Sequence, residues 1–322
     1  MVVGFDVSKA STNWALVNGI GKVLAEGKCN NTERAVATVL VPIRGKYSRL
    51  RCAVEATGIY HLPVLRACEV QGIPCRQLNP IQTKQFTRTT VRAAKTDRKD
   101  AVYVALLGLR GAGYTVLPVD DALMAAKTYL RLADRLRDAG HSMLFMQQYL
   151  HDNGQGLSED SLTACRIQLL AAVQDYRGRA AKALDASRPV ALLQSIPGIG
   201  PVLAMGIVAE IGNLGRFHNA PQLVAYAGLD PRIKQSGPMH STGRLTKRGS
   251  PFLRQRLHVA SMGVQRYDPE LKAVHERQRA RGKSYTAATV CVSRKLVHRI
   301  FSVLKRDAPY EVRSLDAAPK NT

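Results

Sequence analysis

Four carboxylates near the N-terminus have the type and spacing that a metal site requires. Asp97 and Asp100 lie three positions apart in the segment KTDRKDA, and helical spacing would put them on one face, about 5–6 Å apart. Asp6 ends the apolar run VVGFD, and Glu55 ends RCAVE. Together they are most of the seven acidic residues in positions 1–110.

Such a group would be electrostatically unstable by itself. Two carboxylates 5 Å apart repel by roughly 3 kcal/mol at an effective dielectric constant near 20. If the four acids cluster, we expect Mg²⁺ to hold them, with two ions about 4 Å apart to stabilise the attacking and leaving oxygens of phosphodiester cleavage. The alternative is a set of scattered surface acids paired with arginine and lysine.

The hydrophobic pattern suggests how the acids could meet. Residues 1–110 predict the order β-β-β-α-β-α-β-α, with three antiparallel strands followed by parallel strands and crossover helices. This is the order of the ribonuclease H-like fold. Its first and fourth strands are neighbours, so Asp6 and Glu55 would lie side by side at strand ends. The helix that carries Asp97 and Asp100 follows the fifth strand.

The charge distribution predicts a polyanionic partner. The formal net charge is +23, made up of +10 in residues 1–110, zero in 111–190 and +13 in 191–322. Residues 232–266 contain eight lysines and arginines and no acid. This pattern favours nucleic acid. No membrane partner is expected, because the sequence offers no basic amphipathic anchor.

The middle of the chain predicts long helices. From about Asp121 to Ser187, leucine, methionine and alanine recur at spacings of three and four, interrupted only by HDNGQGLSED. This stripe is typical of a helical hairpin or of a dimer seam.

The segment SIPGIGPVLAMGIVAEIG, Ser195 to Gly212, predicts a helix-hairpin-helix. Backbone N–H groups of Gly198, Ile199 and Gly200 would then bind a phosphate without reading base sequence. The alternative is a tight turn between helices, with glycines that allow close packing. Helices are predicted again from Phe252 to about Gly263 and from Ala287 to Leu304.

Between these helices a basic loop is predicted from Arg232 to Ser250. It offers three serines as candidate nucleophiles, at positions 236, 241 and 250, and nothing in the residue pattern selects one of them. A serine that attacks a phosphodiester needs cations near the developing charge. The loop supplies a pool of four, namely Lys234, Arg244, Lys247 and Arg248.

The six cysteines show no metal-binding or paired spacing, and the N-terminus MVVGFDVSKA lacks the profile of a signal peptide. We therefore expect reduced thiols and a cytoplasmic, nucleoid-associated protein.

Eight motifs, in this order along the chain, resemble one protein family. They are GFDVSK, VEATGIYHLPV, LNPIQTKQF, KTDRKDA, SIPGIG, AYAGLDP, QSG and GRLTKRGSPFLRQRL. The family is the DEDD-type insertion-sequence recombinases, that is, the bridge-RNA-guided transposases of the insertion-sequence one-ten group, with the pilin-gene inverting recombinases as relatives. The resemblance covers nearly the whole chain.

The resemblance implies a domain order and an active site. Residues 1–115 would form a RuvC-like, ribonuclease H-like catalytic domain, and 116–188 a coiled-coil linker. Residues 189–313 would form a mainly α C-terminal transposase domain, and 314–322 a flexible tail. Asp6, Glu55, Asp97 and Asp100 take the acid positions that bind Mg²⁺. Ser236, in QSG, takes the position of the nucleophile that forms a 5′-phosphoserine link to DNA.

The implied partners are donor and target DNA, a non-coding bridge RNA and further copies of the chain. Contacts with nucleic acid are expected at Lys95, Gly198, Gly200, Lys234, Arg244, Lys247, Arg248 and Arg254. The sequence departs from the family pattern at Asn13, where relatives often carry a further acid, and at Ser250, where asparagine is common.

Three other functions remain open from the sequence. One is a DNA invertase that acts on fixed sites without RNA. Another is a RuvC-like junction nuclease with water as the nucleophile. The third is a basic architectural protein on a decayed scaffold, which the presence of all four acids disfavours.

Overall fold

The structure, a computed structural model, describes residues 1–56, 58–89, 97–115, 119–154, 159–236, 239–246 and 249–312. The chain divides into two compact units, Met1–Val119 and Asp120–Thr322. The predicted helical segment and the predicted C-terminal domain thus lie in one unit. Lys95, Lys247 and Arg248 lie outside the described residues.

The first unit is a mixed α/β sheet with helices on both faces. Its strands are β1 (Val2–Val7), β2 (Ser11–Val17), β3 (Val23–Asn30), β4 (Arg51–Glu55), β5 (Cys75–Leu78) and β6 (Tyr114–Thr115). Its helices are α1 (Glu33–Lys46), α2 (Leu62–Val70), α3 (Pro80–Thr89) and α4 (Asp97–Leu109).

The strand order confirms the sequence prediction. Across the sheet it is β3-β2-β1-β4-β5-β6. The first three strands pair antiparallel, and β1, β4 and β5 pair parallel. The predicted neighbours, the first and fourth strands, do lie side by side. β6, antiparallel to β5, was not predicted, because two residues are too few for a pattern.

The pleat of β1 separates two cores. Val3, Phe5 and Val7 are buried against the face that α1 and α2 cover. Val2 belongs to the other core, together with Val104, Ala105 and Leu107 of α4. Because side chains alternate along a strand, Gly4 and Asp6 share the α4 face with Val2.

The second unit is mainly helical. Its helices are α5 (Asp121–Asp152), α6 (Glu159–Ala183), α7 (Arg188–Gln194), α8 (Pro201–Ile211), α9 (Ala220–Ala227), α10 (Pro251–Val264), α11 (Pro269–Ala280) and α12 (Tyr285–Arg306), with a short 3₁₀ turn at Leu214–Arg216. Among the described residues, no helix combines the length and the apolar character of a membrane span.

Helices α5 and α6 form the predicted hairpin. Tyr129 stacks on Tyr176 with ring centroids 6.1 Å apart. Further along, Gln147 Nε2 donates to Thr163 Oγ1 at 2.9 Å. Residues further along α5 therefore contact residues earlier in α6, so the two helices are antiparallel within one chain.

The prediction of a loop between Arg232 and Ser250 was wrong. Most of this segment is an antiparallel hairpin of β7 (Pro231–Ser236) and β8 (Met239–Leu245). Basic and polar residues dominate both strands, so the apolar alternation that marks a half-buried strand is missing. The hairpin is formed instead by backbone pairing between β7 and β8.

Gly4 permits the close contact between β1 and α4. A Cβ atom at this position would lie 2.3 Å from the Ala105 nitrogen and 2.4 Å from the Ala101 carbonyl oxygen. Both are backbone atoms, so the clash can be relieved only by moving the helix. The glycine therefore sets the distance between the sheet and the helix that carries Asp97 and Asp100.

We predict that Gly4→Ala destabilises the protein by about 2–4 kcal/mol, because overpacking against backbone cannot relax by a rotamer change. Chemical denaturation measures the effect. Gly45→Ala is the matched control, since its Cβ would have no neighbour within 4 Å and alanine is favoured in helices. Equal stability of the two variants would contradict the role given to Gly4.

Candidate active site

Two predicted acids lie side by side at the ends of adjacent strands. β1 and β4 are parallel, and Phe5 pairs with Val54. The next residue on each strand is Asp6 and Glu55, so the register carries both to the same end of the sheet. Both are half-buried. The strand-end prediction is confirmed for this pair.

Helix α4 runs toward the same end of the sheet. A Cβ on Gly108 would lie 2.6 Å from Ala53 Cβ and 3.3 Å from Val2 Cγ1, whereas Ala101 and Ala105 lie over Gly4. One helical turn rises 5.4 Å, close to the rise of two strand residues. One further turn toward the start of α4, matched with two further residues along β1, brings the first turn of α4 over Asp6.

Asp97 is the first residue of α4, and Asp100 lies in its first turn. Asp100 is half-buried, while the side chain of Asp97 is not among those described. Carboxylates in this first turn are favoured by the helix dipole, which places partial positive charge there. The backbone thus brings all four predicted acids to one end of the sheet.

The residues present fit a hard divalent cation. Carboxylate oxygens are the ligands that Mg²⁺ prefers in proteins. Among the side chains that the structure describes, no three or more histidines, cysteines, aspartates or glutamates are grouped closely enough to hold a metal ion, so Asp6, Glu55 and Asp100 do not form such a group by themselves. The fourth acid of the predicted set, Asp97, lies outside those side chains.

Asn13 lies beside the acid pair. It pairs with Asp6 across β1 and β2, and with Lys28 across β2 and β3. Directly opposite residues share a face of the sheet. A neutral amide therefore lies next to Asp6, at the position named above as a departure from the family pattern.

Ser236 is the last residue of β7 and pairs with Met239, the first residue of β8. It therefore stands at the tip of the β7–β8 hairpin. Lys234 pairs with Ser241 lower in the same hairpin, and Arg244 lies near the end of β8. The side chains of these residues are not among those described.

Ser250 has a structural role that removes it from the three candidate nucleophiles. Its Oγ donates to Glu210 Oε2 at 2.8 Å and accepts from the Leu253 N–H at 3.2 Å. The second bond makes Ser250 the N-cap of α10. Ser236 and Ser241 therefore remain as the candidate nucleophiles.

Glu210 is a poor base for that serine. Burial raises the pKa of its carboxyl, but the Arg131 guanidinium, Lys127 and the Ser250 hydroxyl more than offset this and lower it below its usual value. Arg131 binds it with both Nε, at 2.6 Å, and Nη2, at 2.9 Å. A second ion pair joins Arg256 to Asp134 at 2.6 Å.

The sequence prediction did not include this ionic network. Glu210 is the only acid in PVLAMGIVAEI, and a charge on so apolar a helix needs a buried partner. That signal was present in the sequence. The identity of the partner was not, since Arg131 is 79 residues away.

Gly198 of the predicted helix-hairpin-helix serves close packing, whereas Gly200 has open space around it. Gly198 has φ +91°, and a Cβ there would lie 2.7 Å from the Gly263 carbonyl carbon. The Ile199 N–H donates to the Ile196 carbonyl at 3.0 Å, so it serves the turn. Gly200 is exposed and precedes α8 as its N-cap. Phosphate contact at Gly198 and Gly200 stays a prediction.

Arg254, a predicted nucleic-acid contact, also has a structural partner. Its Nη1 donates to the Ala227 carbonyl at 3.2 Å, and burial lowers its pKa. At least part of this side chain stabilises the junction between α9 and α10.

Comparison with known proteins gives two matches to family models. Residues 3–139 match a transposase model of the DEDD IS110 type, and residues 190–276 match the transposase IS116/IS110/IS902 family. These matches place the chain among the transposases. More particularly, it carries both domains of the IS110/IS116 family, as the motifs predicted.

Several relatives agree with this assignment. The pilin gene-inverting protein of Moraxella bovis is 25% identical over 278 residues, which cover 83% of each chain. The transposase for insertion sequence element IS1111A of Coxiella burnetii is 27% identical over 74% of this chain and 73% of its own. Among solved structures, the Thermus thermophilus RuvC structure aligns with 36% of this chain and 99% of its own, at 17% identity and a TM-score of 0.29.

The lowered pKa of Glu210 generates a prediction about stability and pH. A carboxyl with a lowered folded pKa contributes stability above its unfolded pKa and loses it as pH falls through the folded pKa. Glu210→Gln should therefore cost about 2 kcal/mol at pH 7, because it removes the buried carboxylate that binds Arg131 and Lys127, two cations that are themselves only partly buried. The difference from wild type should shrink below about pH 4. Urea denaturation at both pH values measures it.

Glu276→Gln is the control, since this exposed glutamate pairs with Lys272 only at 3.9 Å and such surface pairs contribute little. A Glu210→Gln defect that does not change with pH would contradict the ion-pair account.

Proposed function

We propose that the protein is a DNA recombinase that transposes a mobile element. Its strand-end carboxylates would hold Mg²⁺, and Ser236 would be the nucleophile that forms a covalent 5′-phosphoserine intermediate. The observation that carries this proposal is the register of β1 and β4, which sets Asp6 beside Glu55 with the first turn of α4 over them. The two transposase domain matches support it.

The covalent step balances without an external energy source. Ser236 Oγ forms a bond to the phosphorus as the bond from phosphorus to the 3′ oxygen breaks. The serine gives up its proton, and the departing 3′ oxygen takes one up. The new phosphoester retains the energy of the broken one, so a different 3′ hydroxyl can reverse the step on another strand.

Bound Mg²⁺ would supply charge neutralisation at the scissile phosphate. The role of the protein is to supply hard oxygen donors at a fixed place on a rigid sheet. Asp6, Glu55, Asp97 and Asp100 would provide these donors. Lys234, Arg244, Lys247 and Arg248 would stabilise the charge that develops around Ser236.

The proposed partners are donor and target DNA and a bridge RNA. The net charge of +23 suits binding of both nucleic acids, and base pairing to a guide would free the protein from reading sequence itself. The protein would act as a dimer or tetramer. Exposed apolar side chains on the α5–α6 hairpin, among them Phe145 and Tyr149, are suited to a seam between copies.

A second candidate is a DNA invertase that works without RNA. It is favoured by the relative named as a pilin gene-inverting protein, which aligns with 83% of this chain. Sequencing of RNA that copurifies with the protein separates the two. One abundant species encoded beside the gene supports the guided transposase, and its absence supports the invertase.

We predict that Ser236→Ala abolishes a protein–DNA adduct that wild type forms with Mg²⁺ and DNA from the flanks of its own gene. The hydroxyl is the attacking group, so its removal leaves no atom to form the bond. Denaturing gels with and without protease treatment detect the adduct. Ser241→Ala is the matched control, from the facing strand of the same hairpin, and should keep the adduct.

An adduct that persists in Ser236→Ala would contradict the serine mechanism. DNA cleavage by Ser236→Ala without any adduct would favour a nuclease that uses water.

A further inference from the structure

The β7–β8 hairpin leaves the helical core and returns to it at one place. It leaves at the end of α9, where Gly228 has a left-handed conformation and Leu229 is buried. On its return, the Thr246 N–H donates to the Asp230 carbonyl at 2.9 Å, and the Ser250 N–H donates to the Tyr226 carbonyl at 3.2 Å. Both ends are therefore held against the same turn.

Gly249 makes this closure unusually tight. A Cβ at this position would lie 1.9 Å from the Tyr226 carbonyl oxygen and 2.5 Å from the Gly228 nitrogen. Because both are backbone atoms, the chain at Gly249 lies directly against the end of α9. The direction of the hairpin thus depends on how this contact is fixed to the core.

The buried carboxylate of Glu210 connects this contact to the helical core. Glu210 is 2% exposed. Its Oε2 accepts from Ser250 Oγ at 2.8 Å, and its main-chain carbonyl accepts from the Tyr226 hydroxyl at 3.2 Å. Arg131 of α5 holds the same carboxylate through two hydrogen bonds. The helix that precedes the hairpin and the residue that follows it are both tied to Glu210.

We propose that Ser250 and Glu210 are positioning residues for Ser236. The hydrogen bond between the Ser250 hydroxyl and the Glu210 carboxylate, which we call the 210–250 latch, sets the direction in which the hairpin projects. This inference rests on the proposed nucleophile. It adds two residues that do not touch the DNA and that determine where the nucleophile stands.

A small tilt at the base of the hairpin moves its tip by a larger distance, so the latch is important for the rate of reaction at Ser236. Ser236 lies five residues beyond Pro231, the first residue of β7, which at about 3.3 Å per residue is roughly 16 Å. A tilt of about 3° at the base moves the tip by about 1 Å. A displacement of that size at a reacting atom can cost on the order of 100-fold in rate.

The two bonds of Ser250 Oγ can be separated by substitution. Asparagine and aspartate have nearly the same shape, and both are good helix N-caps. The amide of Ser250→Asn can accept from the Leu253 N–H and also donate to Glu210. The carboxylate of Ser250→Asp can accept but cannot donate, and it repels Glu210. The pair therefore retains the cap in both variants and breaks the latch in one.

The experiment compares Ser250→Asn and Ser250→Asp in the full-length protein. The measurements are the single-turnover rate of adduct formation at Ser236, the affinity for the same DNA and the denaturation midpoint. We expect Ser250→Asn to react within about 3-fold of wild type. Ser250→Asp should be about 10- to 100-fold slower, with a much smaller loss of DNA affinity, about 2- to 5-fold, since long cationic side chains such as those of Lys234 and Arg244 on the same hairpin can reach a phosphate over a shift of about 1 Å, whereas the attacking oxygen needs exact alignment.

Equal rates for the two variants would overturn the proposal. So would a rate defect in Ser250→Asp that is matched by an equal loss of DNA affinity. If Ser250→Asp does not fold, Ser250→Gly replaces it, because glycine retains most of the capping preference and lacks the donor.

Failure of the proposed function is distinguished by wild type itself. If wild type gives no adduct that depends on Ser236, the serine mechanism falls and positioning of a nucleophile falls with it. Hydrogen exchange of the β7 and β8 amides, faster in Ser250→Asp than in Ser250→Asn, would then show that the latch holds the hairpin for a different purpose. Equal exchange would overturn the latch as well.

Discussion

Electrostatic repulsion between carboxylates is the constraint on which the first unit depends. Asp6 and Glu55 are the next residues after a registered pair on adjacent parallel strands, and α4 carries Asp97 and Asp100 to the same end of the sheet. At about 5 Å each ionised pair would repel by roughly 3 kcal/mol. Since a domain has a net stability of only about 5–15 kcal/mol, repulsion of that size among four such groups would have to be offset, and Mg²⁺ is the counter-ion that we propose.

The rest of the first unit serves that placement. β1 packs between two hydrophobic cores, one on each face of the sheet. Because Gly4 has no side chain, α4 can lie directly on the strand. Neither feature is chemical in itself. Together they fix the height and direction of the helix whose first turn carries two of the acids, so that the position of these carboxylates is determined by packing.

The second unit relies on a different device, a buried ionic network. Glu210 is held by Arg131 and Lys127 from α5 and by Ser250 from the start of α10. Such networks stabilise a fold less than an apolar core of the same volume would, but they can specify one arrangement of helices. Here the arrangement specified is the junction from which the Ser236 hairpin projects.

The sequence predicted most of the first unit and less of the second. Apolar strands and amphipathic helices have clear periodicities, so the order of elements and the adjacency of β1 and β4 were predictable, and with them the strand-end positions of Asp6 and Glu55. The β7–β8 hairpin was missed because its strands are basic and polar. The partners of Glu210 were missed because they are set by tertiary contacts between residues far apart in the chain.

Magnesium-dependent stability tests the central claim most directly. The melting temperature of wild type and of Asp6→Asn should be measured in EDTA and in Mg²⁺, with Glu26→Gln, an exposed acid on β3, as the control. Mg²⁺ should raise the melting temperature of wild type and of Glu26→Gln by several degrees and that of Asp6→Asn far less. Equal responses of all three proteins to Mg²⁺ would contradict a cation site at the end of this sheet.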